Sequence, residues 1–424
     1  MDVKEYQHLL RYLKRLIEGS EFEGHVYSVG GCERDAYWGN EIKDIDLVVD
    51  LPEGGIRFAQ YLEKEGFIRG TVVTYPNFGT AMFRLALFPQ YELEVVHTRS
   101  ECYRDSDSRN PETSFGSIAE DCTRRDFTYN AIYYNVSKAE RCYFNPQSLL
   151  DISGNILRTC GEPDIIFKED PLRILRAIRF SCKYNSKIDD DTLYGMIANV
   201  KRLEIISKER IQDEMVKIMT GFNLDLAINL IYQIGAMPYI FPFFSRMPST
   251  QVELLRAIKG LHEDHDLVLN LAVFMNFSHH PELDLKALKF SNDIIDACLD
   301  IIQNPCNAYI LINDPLENSE IRKFQYECKT YDNMAKHLMW MCATFNNKTI
   351  APKTDFVRKR SKEMLLDGTA MFGYKLPVDG NDVMEVKSIV PCAKVKKYLN
   401  MLLDYAFVNP KITREECINI LKAN

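Results

Sequence analysis

No stretch of the 424 residues reaches the eighteen or so uninterrupted apolar positions that a membrane-spanning helix needs. The nearest, Leu224 to Phe244, is broken by Asp225, Asn229 and Gln233 and reads as buried helix, so no membrane partner is expected. Among 12 cysteines there is no C-x-x-C pair, which excludes the compact zinc and thioredoxin-like redox motifs that such pairs mark. Scattered thiols of this kind read as small buried hydrophobes in a reducing compartment. Met1-Asp2-Val3-Lys4-Glu5 has neither the apolar core of a signal peptide nor the Arg-rich, acid-poor character of a transit peptide, so a cytoplasmic location is expected. Excess positive charge is missing as well. A net charge of −8 argues against coating nucleic acid by bulk electrostatics, although it leaves room for a local basic groove. Residues 351–424 supply a modest asymmetry of that sort, with 13 Lys and Arg against 9 Asp and Glu.

Internal repeats and low-complexity tracts are also absent, and with 46% apolar and 26% charged residues the composition is that of a globular chain long enough for more than one core. Tyr6 to Ile17 has helical spacing. Val26–Val29, Ile45–Val49, Thr80–Leu87, Tyr91–His97 and Phe127–Tyr134 read as strands, and Gly55–Glu65 as helix. Arg104 to Asp121, rich in Asp, Ser, Asn, Pro and Gly, reads as a long mobile loop. Beyond about Gly161 strand signals almost vanish and helical periodicity runs on, punctuated by prolines. An α/β head followed by an all-helical remainder is expected.

Chemistry concentrates in the head. Residues two apart on a strand point to one face, so Asp44 and Asp46 present two carboxylates together. Such a pair suits Mg²⁺, which also binds substrate phosphates, and two ions can clamp the oxygens of an in-line phosphoryl displacement. A D-x-D run alone is weak. Gly30-Gly31 strengthens it, because glycines after a strand let backbone N–H groups approach an anion, and Arg34 can meet a triphosphate as a planar fork. In Arg124-Arg125-Asp126, two guanidiniums can grip phosphate while the carboxylate accepts a sugar hydroxyl. Asp170-Pro171 opens a helix as cap and first residue, with Arg173, Arg176 and Arg179 forming a basic stripe. Asp170 as acceptor and Arg173 as donor, one turn apart, can read a nucleobase edge, since cytosine and adenine both present an amine beside a ring-nitrogen acceptor.

These runs resemble the class II tRNA nucleotidyltransferase and bacterial poly(A) polymerase family. The family's G-G-x-V-R-D and D-x-D motifs match Gly30, Gly31, Arg34, Asp35, Asp44 and Asp46, with Glu33 where a small apolar residue is usual. Arg124 to Ala131 resembles its R-R-D-F-T-x-N-A, Glu169 to Phe180 its E-D-P-x-R-x-x-R-A-x-R-F, and Ser207 to Ile211 its S-x-E-R-I. The match is strong over roughly the first 220 residues and weak thereafter.

The resemblance implies a head with a mixed sheet (1–150), then an all-α neck with nucleobase-selecting helices (151–220), body (221–350) and tRNA-binding tail (351–424). It implies two Mg²⁺ ions on Asp44 and Asp46, Glu94 as a third carboxylate near them, and ribose and phosphate contacts from Arg124, Arg125, Asp126 and Asn130. Nucleobase selection falls to Asp170, Arg173, Arg176 and Arg179, and Arg109, with Pro111, to a flexible loop. Two departures stand out besides Glu33. The glycine usual before Asp151 is missing from Asn145-Pro146-Gln147-Ser148-Leu149-Leu150-Asp151. His262-Glu263-Asp264-His265-Asp266 and His279-His280 lack the ligand pattern of an H…HD…D hydrolase.

The expected function is addition of C and A to the acceptor end of tRNA from CTP and ATP, with pyrophosphate release. A CC-adding or A-adding partial enzyme is an alternative, as is a poly(A) polymerase, whose strongly basic C-terminal extension is missing here. A non-catalytic tRNA-binding scaffold is a further alternative, which the intact carboxylates oppose.

Overall fold

The Asp2 carboxylate accepts the Glu5 N–H at 2.8 Å and so caps α1 (Val3–Ile17). Tyr6, Leu9, Leu10, Leu13, Leu16 and Ile17 fall on one face of that helix and join Leu47, Phe58, Phe83 and Leu93 in the head core. In the computed structural model, residues 1–424 are described except 103–111, 245–247, 260, 262–264, 313–314 and 346–349.

The head carries β1 (Val26–Val29), α2 (Gly31–Trp38), β2 (Ile45–Val49), α3 (Gly54–Lys64), β3 (Val73–Tyr75), β4 (Thr80–Leu85) and β5 (Phe88–His97). The next elements are β6 (Arg99–Cys102), β7 (Glu112–Phe115), α4 (Ile118–Thr123), β8 (Tyr133–Asn135), β9 (Glu140–Cys142) and α5 (Gln147–Gly154). Seven strands form one sheet in the order β3-β4-β5-β2-β1-β8-β9. β2 and β5 run parallel and the other neighbours antiparallel, so the sheet is mixed as expected. α3 lies close on it: a Cβ at Gly55 would come within 2.6 Å of the Gly79 carbonyl and 2.8 Å of the Val96 Cα, so only glycine fits.

Several local expectations change. Phe127 to Tyr134 is not one strand: Thr128–Asn130 makes a short 3-10 turn and only Tyr133 onward pairs. A side chain competes for this backbone, with the Phe127 N–H donating to the Asp126 carboxylate at 2.8 Å, and Thr128 anchors the turn by donating to buried Asp151 at 2.8 Å. The segment read as a loop from 104 to 121 includes β7, paired with β6, and the start of α4, which opens on a Ser117–Glu120 capping box. Arg109 and Pro111 lie outside the described residues. The missing glycine before Asp151 does not disturb the connector, since Asp151 sits in α5 and also accepts from Arg158 at 3.1 Å.

After the head, β10 (Ile156–Leu157) pairs in parallel with β11 (Lys187–Ile188) around α6 (Pro163–Glu169) and α7 (Leu172–Tyr184). α8 (Asp190–Asn199), α9 (Lys208–Met219), α10 (Leu224–Gln233) and α11 (Met237–Ile240) complete the first of two compact units, Met1–Ile240. In the second unit, Phe241–Asn424, the described elements are helices: α12 (Pro248–Lys259), α13 (Leu267–Met275), α14 (Pro281–Ala287), α15 (Asn292–Gln303), α16 (Asn307–Ile312), α17 (Asn318–Cys328), α18 (Tyr331–Phe345), α19 (Ile350–Leu366), α20 (Gly380–Lys387), α21 (Ala393–Val408) and α22 (Arg414–Ala423), with one isolated bridge between Phe244 and Ser278. Its C-terminal core gathers Met371, Val383, Leu402, Ala406, Cys417 and Leu421. No helix among the described residues is long and apolar enough to cross a membrane.

Candidate active site

β1 ends in Gly30, whose φ of 86° and ψ of −135° suit glycine alone and turn the chain into α2. A Cβ there would sit 3.3 Å from the Asp46 Oδ2 and 3.7 Å from an Arg125 guanidinium nitrogen, so the first turn of α2, the Asp46 carboxylate and Arg125 converge on one point. Asp46 lies on β2 and pairs in register with Glu94 on the parallel strand β5, which sets the two side chains on the same face. Asp44 precedes β2 and is exposed. The oxygens of Asp44, Asp46 and Glu94 do not all come within 4.8 Å of one another.

The electrostatics are those of a cation site. Burial pushes the Asp46 carboxyl up to about 6, and Glu94 and Asp44 add to the rise while Arg125 and Arg34 oppose it. An all-oxygen set with surplus negative charge fits a hard divalent ion.

The RRD run forms the opposite wall and is already heavily paired. Both Arg124 and Arg125 donate to buried Asp121, at 2.5 and 3.1 Å, and Arg125 also donates to the Tyr133 hydroxyl at 3.0 Å. Burial would raise the Asp121 carboxyl, but the two guanidiniums bring it down to about 2. Asp121 was absent from the sequence-derived set; its place one turn before the arginine pair on α4 was the available signal. Asp126 accepts from the Phe127 N–H and Asn130 amide on one oxygen and from Arg176 at 2.6 Å on the other. Burial is again outweighed, by Arg176 and Asn130 first, and its carboxyl is held at about 2.

Arg34 is set differently from the open fork expected. It donates to Asp35 at 2.8 Å and to the Asn130 side-chain amide oxygen, and its guanidinium carbon lies 4.6 Å from the centre of the Tyr184 ring and 5.2 Å from that of Phe180. With its side chain 5% exposed, it braces α2 against α7. The α7 arginines likewise diverge. Arg173 donates to the Arg124 carbonyl at 2.9 Å and to Glu169 at 3.3 Å, Arg176 reaches Asp126, and Arg179 pairs with Glu214 at 2.6 Å. Asp170 closes α6 as its C-cap and α7 is capped by Pro171, so the expected Asp170 cap is displaced by one residue; the Asp170 carboxylate accepts the Leu172 N–H at 3.2 Å and pairs with Arg210 at 2.8 Å rather than with Arg173. Arg210 belongs to the Ser207–Ile211 run but carried no assigned role from sequence. A cavity of about 510 Å³ opens beside α2, lined by Asp35, Trp38, Lys43, Lys183, Tyr184 and Phe222 among others. Asp46, Asp126 and Asp170 are not among its lining residues.

Residues 26–155 match the poly A polymerase head domain, and residues 186–247 the family described as "Probable RNA and SrmB- binding site of polymerase A". The CCA-adding enzyme of Staphylococcus aureus (strain MRSA252) is 30% identical over an alignment that covers 76% of this chain and 74% of that protein. The chain belongs to the CCA-adding enzyme family. It is accordingly a nucleotidyltransferase. The CCA-adding enzyme of Staphylococcus epidermidis is 30% identical over 63% of this chain and 62% of its own length, under two thirds of that relative. The tRNA nucleotidyltransferase of Schizosaccharomyces pombe is 25% identical over 97% and 94%. Among solved structures of the family, the Bacillus stearothermophilus CCA-adding enzyme in complex with CTP has a TM-score of 0.75 at 21% identity, covering 99% of this chain and 97% of that one. The Thermotoga maritima enzyme complexed with tRNA has a TM-score of 0.70 at 21% identity, covering 100% and 98%. At these identities the structural likeness speaks for the fold.

Proposed function

We propose that this chain adds C and A to the acceptor end of tRNA without a nucleic-acid template, taking CTP and ATP and releasing pyrophosphate. The observation that carries this reading is the register of Asp46 with Glu94 beside the Gly30 turn, facing Arg125. Relatives bearing the CCA-adding name, and neighbours bound to CTP and to tRNA, support the substrates.

In the reaction the tRNA 3′ oxygen bonds to the nucleotide α-phosphorus, the bond from that phosphorus to the α–β bridging oxygen breaks so that this oxygen leaves with pyrophosphate, and the hydroxyl proton is released. Asp44 and Asp46, with Glu94 beside them, would hold two Mg²⁺ ions, which when bound neutralise charge on the reacting oxygens. The first turn of α2 at Gly30 and Gly31 offers backbone N–H groups to the phosphates, as Arg125 and Arg124 offer guanidiniums. Arg34 acts on phosphate through the placement of that turn. Asp126 and Asn130 take the ribose side. Asp170, released from Arg210, accepts the exocyclic amine common to cytosine and adenine, and Arg173 donates to the ring nitrogen, with Arg176 and Arg179 holding α7. Residues 151–220 serve as neck, 221–350 as body and 351–424 as tail, where a modest basic excess suits recognition of duplex RNA by shape and backbone. The setting is the cytoplasm.

Incorporation of labelled CTP alone, ATP alone and both into tRNAs truncated before each terminal residue tests this. Stepwise addition of two C and one A is expected, with Asp46→Asn at least about 10³-fold slower, the scale on which loss of one group stabilising transition-state charge is felt. Homopolymeric A tails from ATP alone would overturn the tRNA reading in favour of poly(A) synthesis.

A further inference from the structure

The second unit holds a cluster with no part in the nucleotide chemistry. Cys306 lies between α15 and α16, Cys328 is the last residue of α17, and His337 lies in α18. All three are buried, at 1%, 1% and 0% exposure, and their ligand atoms lie within 4.8 Å of one another. Among the described residues this is the one group of three His, Cys, Asp or Glu side chains drawn so close.

The hydrogen-bond pattern shows which imidazole nitrogen is available. The Asn307 amide nitrogen donates to the Ile301 carbonyl at 2.9 Å, which fixes the amide and turns its oxygen toward His337 Nδ1 at 2.8 Å. An oxygen there can only accept, so Nδ1 carries the hydrogen and Nε2 keeps its lone pair. Nε2 is buried without a hydrogen-bond partner and lies 3.5 Å from an Asp300 carboxylate oxygen. A buried imidazole lone pair facing a carboxylate, here that of the half-exposed Asp300, is unfavourable unless a positive centre stands between them. A proton could serve, making an imidazolium paired with Asp300. Two thiols in the same pocket suit a metal instead, because thiolate and imidazole together select zinc among the abundant divalent ions. Asn307 then stands as the outer partner that orients a ligating histidine.

We propose that Cys306, Cys328 and His337, with Asp300 as a fourth ligand, form a structural site for one zinc ion. Each thiol gives its proton to solvent as its sulfur binds, and the ion ties the C-terminal part of α15, the segment after it, the end of α17 and the middle of α18 together. A tetrahedral set with sulfur at about 2.3 Å and nitrogen at about 2.0 Å spans roughly 3.3–3.8 Å between ligand atoms. Side-chain rotations that draw the two sulfurs and the His337 Nε2 in by about 1 Å bring these three to that spacing, and the Asp300 carboxylate, close to His337 but outside the 4.8 Å group, must swing further to complete it.

The full-length protein, purified under reductant and freed of metal, tests this by titration with Co²⁺ and then Zn²⁺. One Co²⁺ per chain is expected to give the visible bands of tetrahedral cobalt with thiolate charge transfer in the near ultraviolet. An all-oxygen site on the head carboxylates gives no thiolate band. Zn²⁺ should displace the cobalt, protect two thiols from a thiol reagent and raise the melting temperature. Cys328→Ser and His337→Gln should bind at least ten-fold more weakly, and Cys417→Ser should behave as the native chain does. Circular dichroism separates a ligand effect from misfolding, and the native chain's own spectrum decides should both variants fail to fold. Absence of the thiolate band in folded native protein overturns the proposal and leaves the proton-held His337–Asp300 pair. A Cys306–Cys328 disulfide that persists in place of metal binding overturns it equally.

Discussion

Glu33 occupies a position at which the family usually has a small apolar residue, and its surroundings explain how an acid is tolerated there. Its side chain is 1% exposed and accepts from the Tyr6 hydroxyl at 2.7 Å, the Ser28 hydroxyl at 2.5 Å and Arg141 at 3.3 Å. Burial raises the Glu33 carboxyl, and Ser28, Tyr6 and Arg141 oppose the rise. Restoring the family's residue alone, by Glu33→Val, deprives two buried hydroxyls of their acceptor, at about 1–3 kcal/mol each. Arg141, a third exposed, turns to water at little cost. The expected loss is therefore roughly 2–5 kcal/mol for this one substitution. Adding Tyr6→Phe and Ser28→Ala removes the stranded donors, and the triple variant should return to within about 1 kcal/mol of the native chain. Urea unfolding followed by Trp38 fluorescence in a Trp340→Phe background reports on the head alone. A single variant that costs under about 1 kcal/mol, or a triple variant as unstable as the single, would refute the reasoning.

Two further outcomes follow from the site. Asp46 has its carboxyl raised from 3.8 to about 6, so in metal-free protein the stability it contributes is complete below about pH 3.8 and is lost as pH rises through 6. Asp46→Asn should therefore stabilise the metal-free chain by up to about 3 kcal/mol at pH 7.5 while destroying activity, and its advantage should grow by roughly 1 kcal/mol between pH 5 and 7.5. Denaturant melts at the two pH values measure this, and an advantage that stays flat would show that Asp46 is not strained. Arg176→Ala strands the Asp126 carboxylate, whose side chain is 10% exposed, and should cost about 2–3 kcal/mol with Arg176 discounted for its own partial exposure. Nucleotide affinity should weaken with it, whereas a loss in the Asp126→Asn/Arg176→Ala pair equal to the sum of the two single losses would deny the coupling in a double-mutant cycle.

Periodicity made the sheet legible because its central strands are short, β-branched and buried: Val26–Val29 and Ile45–Val49 are read from sequence with the bounds that the structure gives them. The facing of Asp46 and Glu94 was not, since parallel register depends on contacts far apart in sequence. β3 carries the exposed Val73, Thr74 and Tyr75 and so offers no alternation to read. The settings of Arg34 and Asp126 were hidden for a different reason. A charged motif beside glycines reads as ligand-facing, and only the packing of α7 shows that the charges first satisfy each other. Cys306, Cys328 and His337 sit on separate elements with no local spacing to announce them.

One consequence of that packing concerns coupling across the site. Arg34 donates to the Asn130 side-chain amide oxygen, the amide nitrogen of the same side chain donates to Asp126, and Asp126 accepts from Arg176. This relay runs without a break from the helix after the phosphate turn to the helix proposed to read the base. These side-chain bonds couple α2 to α7 through the turn at Asn130, so the phosphate end of the site and its base end share one network. In the proposed function, a switch from cytosine to adenine falls to side chains at the tip of α7, around Asp170 and Arg210, or to the advancing RNA end itself.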